Sequence, residues 1–185
     1  MKSHYLSFYF QMIEHRRDAF YRYVTENVND TWERPMPDKW SVGETIYHLV
    51  LMVRLVRKFS TFYLPVMTLY ANLRKARPYK TETYNIYAEY SQMKKRPMKA
   101  PFVLMPPKNV SQKYHFTDIQ QLLDSETARL KNKLSRMDER VAGQIYYPDP
   151  IAHYPNVIQS IHLLAIHEQH HFDLTRKYLQ QQIVQ

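Results

Sequence analysis

The sequence has no cysteine and only two glycines, Gly43 and Gly143, among its 185 residues. Without cysteine the chain has no disulfide, no thiolate metal ligand and no catalytic thiol. With so few glycines it forms neither a phosphate-binding P-loop nor the glycine fingerprint of a dinucleotide site. The same scarcity, in a chain rich in leucine and tyrosine, favours helices over a β-barrel. We therefore expect an all-α protein.

Long apolar runs are also missing from the sequence. No stretch approaches the about 18 apolar residues that suggest a transmembrane helix, and residues 1–5 contain no apolar signal core. The chain is long enough for one domain with a proper core, so we predict a single domain over residues 1–185. Together with the lack of cysteine, these features predict a cytoplasmic protein with no membrane partner.

Acidic residues are outnumbered by basic ones, 17 against 26, which gives a formal net charge of +9. Such a balance is typical of proteins that bind nucleic acid or a phosphate-bearing substrate. Here the basic residues are scattered along the chain, and no long tract or recognition motif gathers them. We therefore predict a solvated basic surface rather than a nucleic-acid partner.

Apolar residues that recur every three or four positions predict four long helices. Their predicted ranges are residues 4–29, 42–70, 117–141 and 157–178. Capping boxes are predicted to open the last three helices, at Ser41 with Glu44, at Thr117 with Gln120, and at Asn156 with Gln159. Pro65 is expected to kink the second helix or mark its early end.

A long crossover, rich in proline and tyrosine, separates the second and third helices over residues 73–115. We predict a short helix over residues 84–93 and leave two roles open for the crossover, a lid over a functional site or a surface excursion. The order of helices predicts a four-helix bundle with this crossover between helices 2 and 3. Bundles of this kind build metal sites from inward side chains on facing helices.

The predicted inward faces follow from the same spacing. The first helix is expected to bury Tyr5, Phe8, Met12, Ala19 and Tyr23, and the second to bury His48, Leu51, Met52, Leu55, Phe59, Phe62 and Val66. The third is expected to bury Ile119, Leu123, Leu130, Leu134, Met137 and Val141, with Glu126 in the middle of the stripe. The fourth is expected to bury Val157, Ser160, Leu164, His167, His171, Leu174 and Tyr178.

Histidines on the second and fourth helices stand out. His167 and His171 are four residues apart, so they share one helix face and supply half of a metal site. His48, inward on the second helix, is the candidate third ligand. His15 is expected to be a packing residue, and His162 and His170 surface or interface residues. The alternative is that all three inward rings are satisfied core histidines, but an i, i+4 pair with a third inward ring favours metal.

Glu126 is a candidate fourth ligand or catalytic acid/base group, because a carboxylate in an apolar stripe must be paired, bound to metal or placed at a wet cleft. The stretch from His167 to His171 also spells H-E-x-x-H, the zinc metalloprotease signature. The longer form of that signature needs glycine at 174 and histidine at 177, where this chain has Leu174 and Lys177. We therefore set the protease interpretation aside.

The stretch Trp40-Ser41-Val42-Gly43-Glu44-Thr45-Ile46-Tyr47-His48-Leu49 resembles the W-S-x-x-E-x-x-x-H-L motif of the DinB-like superfamily. The stretch from His167 to His171 resembles that superfamily's H-x-x-H-H ending. The resemblance covers nearly the whole chain apart from the crossover. It implies a divalent metal held by His48, His167 and His171. Three histidine ligands suit zinc, nickel, iron or manganese. The chain departs from the pattern at Leu174, where a glutamine is common.

Characterised members of the superfamily include thiol transferases, isomerases and hydrolases. The resemblance therefore implies a metal-dependent enzyme of the thiol S-transferase or hydrolase type, acting on a small molecule with a low-molecular-weight thiol as cosubstrate. The alternative is a stress-related binding protein with a structural metal and no turnover. A homodimer is also expected, from the habit of the family and from the aromatic residues Tyr9, Phe10 and Tyr21 off the first helix's predicted stripe.

Overall fold

Four long helices form the body of the molecule, as the sequence predicts. A computed structural model describes residues 1–83, 86, 89 and 100–183. Its elements are α1 (His4–Asn27), α2 (Val42–Arg74), a 3-10 turn (Phe102–Leu104), α3 (Val110–Lys113), α4 (Phe116–Leu134), α5 (Glu139–Ala142) and α6 (Val157–Ile183). Within these residues no β-strand occurs and no helix is long and apolar enough to cross a membrane. The fold is an all-α four-helix bundle.

The bundle consists of two helix pairs, α2 along α4 and α1 along α6. Phe20 of α1 stacks on Phe172 of α6, with ring centroids 4.1 Å apart, and both side chains are fully buried. Helix α2 also contacts α6, and His48 in the N-terminal half of α2 lies against His167 of α6. Side chains from α2 and α6 therefore meet in the interior of the bundle.

The start of α2 is fixed by the predicted capping box. The Ser41 hydroxyl accepts from the Glu44 amide at 3.1 Å, and the Glu44 carboxylate accepts from the Ser41 amide at 2.9 Å. Arg34 donates to the same carboxylate at 2.9 and 2.5 Å. A Cβ on Gly43 would lie 2.5 Å from the ring of Trp32, so only glycine allows this ring to cover the first turn of α2. These contacts set the position of His48 one to two turns later.

The inward face of α1 differs from the predicted stripe by about one position. The buried residues are Leu6, Tyr9, Phe10, Ile13, Arg17, Phe20 and Val24, whereas Phe8 is half exposed. The prediction is wrong because the series of residues that is buried includes a basic residue, Arg17. The apolar spacing therefore favoured the adjacent set of residues on α1. Tyr9 and Phe10 lie in the core of the chain, and Tyr21 is mostly buried, so they supply no free surface for a dimer.

Helix α2 continues to Arg74, past Pro65 and past its predicted end at Tyr70. Pro65 removes one backbone donor, but it lies on the exposed side of the helix. Leu64 and Ala71, on the opposite side, are buried in the core. Their packing stabilises the helix on both sides of the proline.

The predicted inward stripe of α2 is wrong in its second half. Leu55, Phe59, Phe62 and Val66 are between 41% and 81% exposed. In this half of the helix the core is contacted instead through Ser60, Leu64 and Ala71. Both sides of the helix are apolar in sequence, so periodicity alone selected the wrong one.

Helix α4 begins earlier and ends earlier than predicted. Its N-cap is His115, whose amide donates to the Asp118 carboxylate at 3.0 Å, so the predicted box at Thr117 is wrong. The helix ends at Leu134, and Val141 belongs to the separate short helix α5. By contrast, the box at Asn156 is confirmed by reciprocal bonds of 2.9 and 3.0 Å to Gln159.

The crossover returns to the bundle beside α2. The helix predicted over 84–93 falls on residues outside the described set, apart from the isolated positions 86 and 89. Farther along, the 3-10 turn Phe102–Leu104 contacts α2 and buries Leu104. This part of the crossover therefore covers the end of α2 that carries His48.

Candidate metal centre

Three histidines from two helices meet inside the bundle. One ring nitrogen from each of His48, His167 and His171 lies within 4.8 Å of the other two. Nε2 of His48 is 3.0 Å from Nε2 of His167. Nitrogens bound tetrahedrally at about 2.0–2.1 Å lie about 3.4 Å apart, so small ring movements would bring all three within bonding distance of one ion. Among the described residues this is the only cluster of three or more potential ligands.

The backbone of the crossover orients His48. Its Nδ1 lies 2.7 Å from the carbonyl oxygen of Leu104. A carbonyl oxygen only accepts, so Nδ1 carries the hydrogen and Nε2 presents its lone pair to the other two histidines. A carbonyl that accepts from the second ring nitrogen is the usual partner of a metal-binding imidazole.

The surroundings keep these rings neutral. His48 and His167 are buried and His171 is nearly so. Burial lowers the pKa of His48, although the bond to Leu104 acts in the opposite direction. The pKa values of His167 and His171 are held well below the ordinary value, first by burial and then by the neighbouring histidines. Neutral imidazole is the form that binds a metal ion.

Trp40 covers one side of the cluster. Its ring centroid lies 4.9 Å from that of His48 and 6.2 Å from that of His171, nearly parallel to the latter. Such an aromatic wall restricts the rotamers of both histidines. Trp40 was not among the predicted site residues, although it is the first residue of the W-S motif.

Glu168 turns away from the cluster into a buried ion pair. Its carboxylate accepts from Nε of Arg17 at 2.8 Å and from a terminal nitrogen of the same side chain at 2.5 Å. Arg17 also donates to Thr127 at 2.8 Å and to Asp124 at 3.1 Å. Because Glu168 is committed to this pair, it is not placed as the base of an H-E-x-x-H protease. Arg17 was not among the residues predicted to be functional or buried.

Glu126 belongs to a third group of residues. Its two oxygens accept from Nε of Arg54 at 2.9 Å and from Nε of Arg57 at 2.5 Å. Burial acts to raise the pKa of Glu126, but the hydrogen bonds from Arg57 and Arg54 outweigh it and lower the pKa below its ordinary value. The two guanidinium groups account for a carboxylate in the apolar stripe. Glu126 is not a member of the three-histidine cluster.

The remaining histidines highlighted in the sequence lie elsewhere. His162 is half-buried and stacks on Tyr9, with centroids 4.3 Å apart, so it packs between α1 and α6. His170 is half-buried beside His171 and is not a member of the cluster. His15 is exposed on α1.

A cavity of about 320 Å³ opens beside the cluster, with His167 in its wall. The other walls come from α2, from Ile86 of the crossover, from residues 147–155 and from α6. Its apolar lining includes Met52, Leu55, Val56, Phe59, Tyr147, Pro148, Ala152, Pro155, Leu163 and Leu164. The polar residues of the lining, besides His167, are Asp149 and Ser160. An apolar cavity of this size with a few polar groups is suited to a small molecule.

Comparison with known proteins agrees with this geometry. The family model of the DinB superfamily matches residues 12–174, which include all three histidines of the cluster. No curated protein and no solved structure shows a significant match to the chain. Since the match covers most of the 185 residues, the chain belongs to the DinB superfamily.

Proposed function

We propose that the protein is a divalent-metal-dependent enzyme that acts on a small molecule, with His48, His167 and His171 as the metal ligands. The observation that carries this proposal is the convergence of three neutral imidazoles within 4.8 Å, at the wall of an apolar cavity. Three nitrogen donors suit zinc, nickel, iron or manganese. They also leave coordination positions open, as catalytic sites require.

Each residue of the centre has a distinct task in this proposal. The three imidazoles hold the ion, the Leu104 carbonyl fixes the ring of His48, and Trp40 shields one side. A bound divalent ion supplies a Lewis acid that activates a nucleophile near neutral pH. Neutral ligands preserve the full charge of the ion for this purpose.

The cavity supports a substrate with an apolar part, whose reacting group lies at the His167 end. Both proposed reaction types, thiol S-transfer and hydrolysis, fit this placement. A thiol nucleophile has to come from a low-molecular-weight cosubstrate, because the chain has no cysteine. The net charge of +9 favours binding of a cosubstrate that carries carboxylates. Glu126 is retained as a proposed acid/base group, although its pairing with two arginines argues for a structural role.

The alternative is a stress-related binding protein with a structural metal and no turnover. A structural site is usually closed by four protein ligands. Here only three potential ligands converge among the described residues, and a cavity reaches one of them. These two features favour the enzyme. The single-domain organisation and the cytoplasmic location predicted above belong to the same proposal.

The first test is metal content. Protein purified without a nickel column should carry about one divalent ion per chain. After chelation, the metal-free protein should bind about one divalent ion per chain again. An electrophilic substrate should then be offered with bacillithiol, glutathione or water, across several metals. Cobalt substitution provides a readout besides activity. The visible spectrum of the bound cobalt should change when an added thiol or azide occupies an open coordination position of the ion. A bound ion whose spectrum responds to no added ligand would overturn the enzyme proposal and favour the structural metal.

A further inference from the structure

The cavity beside His167 has a charge opposite to that of the chain. Among the described residues that line it, the only charged side chain is the carboxylate of Asp149, and none is a lysine or an arginine. In the whole sequence, by contrast, basic residues outnumber acidic ones by 26 to 17. The lining of the cavity therefore favours a cationic ligand over an anionic one.

The loop that carries Asp149 holds its carboxylate in place. Oδ1 accepts from the amide of Ile151 at 3.1 Å and from the amide of Ala152 at 3.2 Å. The amide of Asp149 itself donates to the carbonyl oxygen of Tyr147 at 2.9 Å, so the carboxylate lies close to an aromatic residue of the same wall. Oδ2 has no partner in the described part of the chain. One oxygen of a fixed carboxylate is thus available to a ligand.

Two aromatic rings form a corner in the same cavity. The centroids of Phe59 and Tyr147 lie 5.9 Å apart with an angle of 57° between the rings, and both residues line the cavity. Tyr63 supports the two rings, with centroid distances of 4.9 Å to Phe59 and 5.7 Å to Tyr147. Ser60 donates to the carbonyl oxygen of Val56, so its Oγ accepts from the Tyr147 hydroxyl at 2.7 Å. Because this hydroxyl is engaged, Tyr147 contributes its ring to the cavity.

Aromatic rings and a carboxylate in one cavity are the groups that attract an organic cation. An ammonium group is stabilised by the face of an aromatic ring within about 6 Å and by a neighbouring carboxylate. From the aromatic corner of Phe59 and Tyr147 and the available oxygen of Asp149, we propose that the cavity binds an amine with an apolar body. The ligand class is that of alkylamines and arylalkylamines, including their methylated forms.

The cavity extends along α2 from the three histidines to the aromatic corner. Met52, Val56 and Phe59 line it at successive turns of the helix, and Met52 follows His48 by one turn. The eleven residues from His48 to Phe59 span about 16 Å of helix. An amine whose ammonium group lies at the corner therefore directs its apolar body toward the histidines.

This ligand class deepens the proposed function, and the role of the amine as the substrate rests on that function. The cavity selects a cation, whereas the basic surface of the chain favours a cosubstrate that carries carboxylates. The two reactants of a transfer reaction would then be distinguished by the sign of their charge. Binding of the amine does not depend on the metal, so it is tested with and without one.

The first test compares three probes of similar shape, phenylpropylamine, phenylpropanol and phenylpropanoate. Isothermal titration calorimetry on the full chain as purified, and again after chelation, measures their dissociation constants. The amine should bind about tenfold more tightly than the alcohol, because an ion pair and a cation–π contact each strengthen binding by a few-fold. The acid should bind more weakly than the alcohol, because its charge has the same sign as that of Asp149.

The second test changes the residues of the site. Asp149→Asn should weaken binding of the amine about fivefold and change binding of the alcohol by less than about twofold, because it removes the charge and keeps an oxygen for the loop amides. Asp18→Asn is the matched control: it removes the same charge from an exposed position on α1 outside the cavity wall, and it should change neither affinity. Phe59→Leu should weaken the amine about threefold more than the alcohol, since leucine is apolar but has no ring.

The outcomes separate this proposal from the proposed function. Failure of the amine to bind, equal affinities for amine and alcohol, or equal effects of Asp149→Asn and Asp18→Asn would overturn it, whatever the metal content. Preferential binding of the amine to a chain that carries and takes up no metal would support the amine site and remove its role as a substrate site.

Discussion

At the scale of single residues, the centre depends on which nitrogen of each ring faces inward. The Leu104 carbonyl assigns the hydrogen of His48 to Nδ1 and so turns the lone pair of Nε2 toward His167. Nε2 of a neutral His167, 3.0 Å away, can donate its hydrogen to this lone pair when no metal is bound. Burial and the adjacent rings disfavour the charged imidazolium form of His167, so the rings are neutral and able to bind a metal ion that takes the place of the shared hydrogen.

The direct consequence concerns His171. His171→Ala leaves only two protein ligands, so we expect the bound metal to fall from about one ion per chain to nearly none. His170→Ala is the matched control, because this histidine is adjacent in sequence yet is not a member of the cluster. Plasma emission spectrometry on the two variants measures the difference. Equal loss of metal in both variants, or full retention in His171→Ala, would contradict the assignment.

The pair of Arg17 and Glu168 invites a different prediction, because both side chains are almost completely buried. Glu168→Gln removes one charge and leaves a buried guanidinium short of its partner. We expect the free energy of unfolding to drop by about 3–5 kcal/mol in urea titrations. Asp124→Asn should cost under about 1 kcal/mol, since that carboxylate is mostly exposed and screened by water.

Metal content separates this structural role from a role in catalysis. Glu168→Gln should keep its metal, because the side chain points toward Arg17 and not toward the three histidines. Replacing both partners, with Arg17→Met and Glu168→Leu, should restore much of the stability, because no unpaired charge remains. A stable Glu168→Gln variant that has lost its metal would show that the carboxylate acts at the centre.

Sequence reasoning identified the three histidines because their residue type and spacing carry the chemistry. It did not identify the Leu104 carbonyl, since a backbone group has no side-chain signature. Arg17 was not predicted to be buried because an arginine is usually exposed unless it is paired. Its partner, Glu168, is distant in sequence and comes close only in the fold. The burial of Glu126 was predictable from its place in the apolar stripe. Its partners Arg54 and Arg57 were not, because they lie on another helix.

At the scale of helices, Glu126 links α4 to α2 through those two arginines. Glu126→Gln keeps the shape of the side chain and removes the charge. We expect a loss of about 1–3 kcal/mol in unfolding free energy at pH 7, because two partly buried guanidinium groups lose their carboxylate. Metal content should be unchanged, since Glu126 is not in the cluster. Slower turnover with metal retained would favour the proposed acid/base role, and lost metal would favour a ligand.

The pH dependence of that loss has a definite sign. The pKa of Glu126 is lower in the folded chain than in the unfolded one. Its contribution is therefore fully present above the unfolded value of about 4.3 and disappears as the pH falls through the folded value. The stability difference between wild type and Glu126→Gln should be constant from about pH 7 to pH 5 and narrow below about pH 4. A difference that is the same at pH 3 would contradict the ion pairs.

Helix boundaries were predictable where the signal is local. The boxes at Ser41 and Asn156 form within four residues and were found, whereas two overlapping patterns near His115 left the start of α4 ambiguous. The orientation of α2 beyond Leu55 was not predictable from one helix. It depends on whether the face with Leu64 or the face with Phe62 meets the rest of the chain, and both are apolar.

At the scale of the whole molecule, the centre ties together parts that are distant in sequence. His48 lies on α2, His167 and His171 lie on α6, and Leu104 belongs to the crossover turn. The unfolded chain does not hold these groups together, so an ion that binds them binds the folded state almost exclusively. Metal binding should therefore be coupled to the stability of the whole bundle.

Metal loading should accordingly raise the melting temperature of the protein. An ion present at about 1,000 times its dissociation constant adds about 4 kcal/mol to the free energy of unfolding. For a chain of this length each 1 kcal/mol moves the midpoint by about 2–4 °C, so we expect a rise of about 8–16 °C between chelated and loaded protein. Differential scanning calorimetry measures it, and the rise should follow metal concentration. His171→Ala, with its third ligand removed, should show little rise, while His170→Ala should respond like wild type. A large shift in His171→Ala would mean that the ion stabilises the fold from another site.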